Sequence, residues 1–170
     1  YFGGGTPSVL SPDDLKEIFT AIRSSYNICE NCEVTIEVNP DDVTDDLLSA
    51  YRNIGINRLS IGIQSWRNND LKLLNRRHNA SQAALSIEKA LKAGFSNISV
   101  DLIYGIPKMT LKDWSSNLEI TLGFDIKHLS AYHLTFEKGT ALSRMKEKGL
   151  VSEVDEEESN SQFHLLLEKT

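Results

Sequence analysis

Apolar residues recur along this chain of 170 residues with two alternating periods, and the switches between them lay out its elements. Leu15, Ile18, Phe19 and Ile22 stand at helical spacing. Ser11-Pro12-Asp13-Asp14 precedes them with a cap, a first-turn proline and acids at the positive end of the helix dipole. Val34, Ile36 and Val38 then alternate with Thr35, Glu37 and Asn39 as in a strand, and Asn39-Pro40-Asp41-Asp42 breaks it. Leu47, Leu48 and Tyr51 mark a short helix closed by Gly55, followed by a second strand in which Leu59, Ile61 and Ile63 alternate with Ser60, Gly62 and Gln64. A short turn of helix is predicted over Asp70 to Leu74 and a longer helix from Ala80 to Ala93, ended by Gly94. Ile98, Val100 and Leu102 form a third strand ended by Gly105-Ile106-Pro107; a helix over Leu111 to Leu122 and a fourth strand over Leu129 to His133 follow. A helix near Ala141 to Lys148, stopped by Gly149, and an acidic-led helix over Ser159 to Thr170 complete the pattern.

Strands separated by single helices predict parallel βαβ units wound right-handed onto one sheet. A strand between two helical layers of an open sheet is apolar nearly throughout. Here each strand has one apolar face and one face of Ser, Gly, Glu, Gln or Asp. That division fits a barrel whose outer wall meets helices and whose inner wall meets a polar ligand. Glu37, Gln64 and Asp101 fall at the C-terminal ends of their strands, where barrel active sites are assembled. Small Ser60 and Gly62 leave interior volume unfilled. The expectation is an α/β fold, a partial TIM-type (β/α) barrel of four strands plus a strand stub at Tyr1-Phe2.

The stub runs into Gly3-Gly4-Gly5-Thr6-Pro7-Ser8. Without Cβ atoms, a run of glycines brings bare N–H and C=O groups against a polar ligand, although a tight βα turn that binds nothing uses the same residues. Composition narrows the partners. A net charge of −6, with an acidic run from Glu153 to Glu158, offers no cationic face for nucleic acid. No apolar stretch approaches the ~20 residues of a membrane span, and the start is not signal-like. A cytoplasmic protein is expected, with 40% hydrophobic residues enough for the core of one domain, residues 1–170. Both ends read as cut from a longer protein.

Six segments in order resemble a known family: Gly3 to Ser8, Ile36 to Pro40, Arg58 to Ser65, Asn75 to His78, Asp101 to Pro107 and Leu134 to Thr140. They look like the motifs of the radical S-adenosylmethionine proteins related to oxygen-independent coproporphyrinogen III oxidase. The glutamine motif, the asparagine after His78 and the Glu-x-Gly-Thr stretch are more similar to the haem chaperone branch. The resemblance implies S-adenosylmethionine as cofactor, with Gly4, Gly5 and Thr6 at its methionyl end and Glu37 hydrogen-bonded to it. It also implies that Gln64, Arg76 and Asp101 stand at a second such site, with Thr135 as a backbone contact there. Arg76, on a segment expected to be exposed, suits a carboxylate because its fork donates two parallel bonds. A porphyrinogen or haem and an electron donor protein are the implied partners. The implied reaction is oxidative decarboxylation of coproporphyrinogen III; the alternative is haem delivery without oxidase activity.

Taken singly, Glu37 also fits an ion pair with a neighbouring cation and Asp101 a turn cap; a third reading makes them acid and base of an ordinary barrel hydrolase or lyase. Tyr104, Ile106 and Tyr132 are expected to pack. The four histidines show no metal-ligand spacing. The resemblance implies a [4Fe–4S] cluster on a C-x3-C-x2-C motif, which this chain lacks and which is expected upstream of Tyr1. Cys29 and Cys32 are only two thiols, placed before the Glu37 strand at the wrong end of a barrel, and are expected to be incidental.

Overall fold

The computed structural model describes residues 1–170. Its frame is a four-stranded parallel sheet in sequence order: β1 (Thr35–Val38), β2 (Arg58–Gln64), β3 (Ile98–Tyr104) and β4 (His128–His133). The stub pairs as expected. Phe2 bridges Ile36 in parallel, its N–H donating to the Thr35 carbonyl at 2.8 Å and its carbonyl accepting from Glu37 N–H at 3.0 Å.

Helices connect the strands: α1 (Pro12–Ser25), α2 (Asp45–Ile54), α3 (Asn68–Leu73), α4 (Ala80–Lys92), α5 (Leu111–Leu122), α6 (Ala141–Glu147) and α7 (Glu156–Lys169). Helix α1 starts at the expected cap, where Ser11 and Asp14 form a reciprocal capping box. Asn79 with Gln82 and Thr110 with Asp113 do the same for α4 and α5. Gly55 and Gly94 end α2 and α4 at φ of 105° and 86°, backbone that a side chain would strain. The last helix begins at Glu156, three residues before the expected Ser159, because the acidic run forms its first turn and Asp155 caps it by accepting from Glu158 N–H at 2.8 Å.

The two faces of the sheet divide as the alternation required. Ile36, Val38, Leu59, Ile61, Ile63, Ile98, Val100 and Leu102 are buried in one apolar cluster with Leu48 and Tyr51 of α2, Ile87 and Ala90 of α4, and Trp114 and Leu118 of α5. The opposite face carries Glu37, Ser60, Gly62, Asp101 and Ser130, the polar inner wall of a partial barrel. Gln162 of α7 locks the turn after β3. Fully buried, it accepts from Gly105 N–H at 2.9 Å and donates to the Met109 carbonyl at 3.0 Å.

Tyr104 and Ile106 pack as expected; Tyr104 lies against Trp114 at 5.6 Å between ring centroids and Ile106 is fully buried. Tyr132 does not. It is 57% exposed, since it projects from β4, the edge strand of the sheet.

Candidate functional site

The glycine loop and the end of β1 are built around one carboxylate. Gly4 adopts φ of 82°, and its N–H donates to Glu37 Oε2 at 3.3 Å. The Tyr1 hydroxyl donates to Glu37 Oε1 at 3.0 Å. A Cβ on Gly3 would stand 2.6 Å from that same oxygen and 2.7 Å from the Tyr1 ring, so a side chain there would displace the Glu37 carboxylate. No cation pairs with Glu37, which disposes of the ion-pair role. Behind the loop, Pro7 and Ser8 are buried, and Ser8 Oγ donates to Asp42 Oδ2 at 2.6 Å, anchoring the loop to the turn after β1.

The end of β2 departs from regular strand geometry. Its register against β3 shifts between Ile61 and Gln64, and Gln64 takes φ of 69°, a conformation costing a non-glycine residue about 1 kcal/mol or more. Buried His78 pins the distortion, with Nε2 donating to the Ile63 carbonyl at 3.1 Å. That bond requires a proton on Nε2, and burial pushes the ring's pKa down, which favours the neutral Nε2–H tautomer. The bulge turns Gln64 toward Gly62, where an added Cβ would lie 2.7 Å from Gln64 Nε2 and 3.2 Å from Arg76 Nη2. Arg76 is half-buried rather than exposed as its sequence run implied, because it folds back over β2 to donate from Nη2 to Asn39 Oδ1 at 2.7 Å and to the Gly62 carbonyl at 3.2 Å. Its neighbour Arg77 is the surface cation, paired with Asp41 at 2.6 Å and Asp42 at 2.9 Å.

Asp101 enters from the middle of β3 rather than from its C-terminal end as expected, because the strand runs on to Tyr104. Ser60 Oγ donates to its two oxygens at 3.2 and 3.3 Å, so it caps no turn. Burial raises its pKa, the charge of Glu37 adds to that, and hydrogen bonds from Ser130 and Ser60 work the other way. Tyr1 is raised as well, by burial first and then by Glu37.

These groups face one cleft of about 130 Å³ at the C-terminal ends of the strands. Gly5, Thr6, Glu37, Gln64, Arg76 and Asp101 line it, so the residues that the resemblance divides between two sites share one cleft, and Val38 is the hydrophobic residue of its wall. Gly4 borders it through its bond to Glu37. Of the expected site residues Thr135 stands apart: it lies exposed beyond the end of β4 and does not line the cleft. Sequence reasoning missed Tyr1 and Asn39. Asn39 had a signal, an amide at a strand end held by the following proline.

The donor set matches S-adenosylmethionine. Its carboxylates suit the ligand's sulfonium, amino and ribose groups, its guanidinium suits a carboxylate, and open space beside Gly4 and Gly5 leaves backbone accessible. An iron–sulfur cluster does not fit the side chains present. Cys29 and Cys32 line a separate hollow with Arg23, Gly55 and Asn57 at the N-terminal ends of β1 and β2. No group of three or more His, Cys, Asp or Glu side chains is placed to hold a metal ion.

The sequence profile of the Radical SAM superfamily matches residues 1–119. The chain belongs to this superfamily. The superfamily in general uses S-adenosylmethionine and a [4Fe–4S] cluster. The chain is 34% identical to a haem chaperone, HemW, of Lactococcus lactis over 99% of its own length and 44% of the relative's. It is 37% identical to the mitochondrial radical S-adenosyl methionine domain-containing protein 1 of Mus musculus over 91% of its own length and 35% of that protein's. It thus spans less than half the length of these curated relatives. Its fold is that of coproporphyrinogen III oxidase (HemN) from Escherichia coli, with a TM-score of 0.83 at 23% identity over 98% of this chain and 38% of that one. The superfamily membership withdraws support from an ordinary barrel hydrolase. The curated similarity to HemW favours the haem chaperone branch over the oxidase reading. No helix is long and apolar enough to cross a membrane.

Proposed function

We propose that these residues form the S-adenosylmethionine-binding core of a radical SAM haem chaperone. The observation that carries the cofactor assignment is the convergence of Glu37, Gln64, Arg76 and Asp101, from β1, β2, the α3–α4 link and β3, on one polar cleft beside the glycine loop. In this reading the backbone of Gly4, Gly5 and Thr6 takes the methionyl end, Glu37 and Asp101 accept hydrogen bonds from the ligand, and Gln64 and Arg76 donate to it. The cluster, on cysteines outside these 170 residues, would supply the electron that cleaves the sulfonium. Thr135 joins the site only if the segment after β4 shifts toward the ligand.

The chaperone assignment is supported by the 34% identity to HemW along nearly the whole chain. Its partners are then haem and an electron donor protein, in the cytoplasm or, as the name of the mouse relative indicates for that protein, in mitochondria. The oxidase reading, with a porphyrinogen as substrate, is supported by the fold alone. Titrating the full-length protein with haem, followed by visible absorbance, and assaying it with coproporphyrinogen III separates the two. A stable haem complex without decarboxylation is expected; decarboxylation without a haem complex would replace this reading with the oxidase.

A further inference from the structure

We propose that Asn39 is a positioning residue that holds Arg76 at the cleft without a directly paired carboxylate, so that the site prefers an adenosyl ligand bearing a carboxylate. The inference rests on the S-adenosylmethionine reading above.

Asn39 works at both ends of its amide. Oδ1 accepts from Arg76 Nη2 at 2.7 Å, and Nδ2 donates to Asp42 Oδ2 at 3.4 Å. The carboxylate only accepts and the guanidinium only donates, so these two partners fix which way the amide points. Asp42 is otherwise committed: the same oxygen takes the Ser8 hydroxyl of the glycine loop, and its other oxygen takes Arg77. Asp41 is also committed to Arg77. Both acids of the turn are thereby drawn to Arg77, and Arg76 is left with no carboxylate within ion-pair distance. Its only acceptors are neutral, an amide oxygen and a backbone carbonyl, and both bind Nη2.

Nη1 and Nε therefore remain free for a ligand. A half-buried guanidinium without an anion is a site waiting for one, and its fork suits a carboxylate. The neutrality of residue 39 decides this. An aspartate has the same shape but would place a carboxylate at the 2.7 Å contact and satisfy the charge internally. Through Asp42 and Ser8, the same relay ties the distance between Arg76 and the glycine loop.

The test compares S-adenosylmethionine with its decarboxylated analogue by calorimetry, on the full-length, cluster-reconstituted protein. Asn39→Asp is expected to weaken S-adenosylmethionine about tenfold and to leave the analogue within about twofold. Equal loss for both ligands, or no loss for either, overturns the proposal. A cycle with Arg76→Gln guards against a merely structural effect: in that background Asn39→Asp should change S-adenosylmethionine affinity by no more than about twofold. A tenfold loss that persists without Arg76 overturns the relay while leaving the cofactor assignment standing. A wild-type protein that binds no S-adenosylmethionine overturns both.

Discussion

The side chain of Gln162, on the last helix, accepts the backbone N–H of Gly105 at 2.9 Å at the exit of β3, some sixty residues earlier in the chain. The same amide donates to the Met109 carbonyl, and the Trp114 indole donates to the Gln162 carbonyl at 2.9 Å. One fully buried residue thus fixes the turn that ends the Asp101 strand. Gln162→Ala leaves a buried donor and a buried acceptor unmet, a cost of about 3 kcal/mol. Amide exchange in the peptide spanning Gly105 to Met109 should accelerate, as read by hydrogen-exchange mass spectrometry; unchanged protection would contradict the role.

Asp101 sets a pH dependence. Its folded pKa is raised above the unfolded value, chiefly by burial, so folding disfavours the ionised acid relative to the unfolded chain. The stabilisation is complete below the unfolded pKa and is lost as pH rises through the folded pKa. Asp101→Asn should therefore unfold at a higher temperature than wild type at neutral pH, and the gap should close toward acid. Asp70 is also raised by burial but is present in both proteins, so the difference between them isolates Asp101. A gap that widens on acidification would reverse the assignment. The variant should bind S-adenosylmethionine less well, exchanging function for stability.

The glycines beside the cleft separate binding from folding. An alanine methyl at Gly3 meets the tip of Glu37 and the ring of the terminal Tyr1, and one at Gly62 meets the tips of Gln64 and Arg76. Flexible side-chain ends swing away at little cost, so Gly3→Ala and Gly62→Ala should melt within ~0.5 kcal/mol of wild type. The displaced groups are the ones assigned to the ligand, and calorimetry should show weaker S-adenosylmethionine binding in both variants.

The double substitution Cys29→Ser with Cys32→Ser should leave iron content and S-adenosylmethionine affinity of the reconstituted full-length protein unchanged, since both thiols stand at the far end of the strands. Loss of iron would make them ligands after all.

Much of this arrangement was legible in the chain. The two-residue alternation of Ile36, Glu37 and Val38, or Val100, Asp101 and Leu102, assigned each side chain to a wall, because strand periodicity is a local property of the backbone. The parallel winding followed from strands and helices taking turns. What escaped depended on contacts distant in sequence. Arg76 looked solvent-exposed in the run Asn75-Arg76-Arg77-His78, yet Asn39 and the Gly62 carbonyl draw it inward. The left-handed turn at Gln64 has no signal in its residue type and is held by His78 from another segment. Tyr132 was expected to pack because it is aromatic, but its place on the edge strand leaves it exposed.

The central claim is that the cleft between the glycine loop and the strand ends holds S-adenosylmethionine through Glu37. Calorimetric titration of the full-length, reconstituted protein and its Glu37→Ala variant tests it most directly. The expected result is binding by the wild type and a loss of about tenfold or more in the variant, with the melting temperature little changed. Equal affinity in the two proteins would contradict the claim.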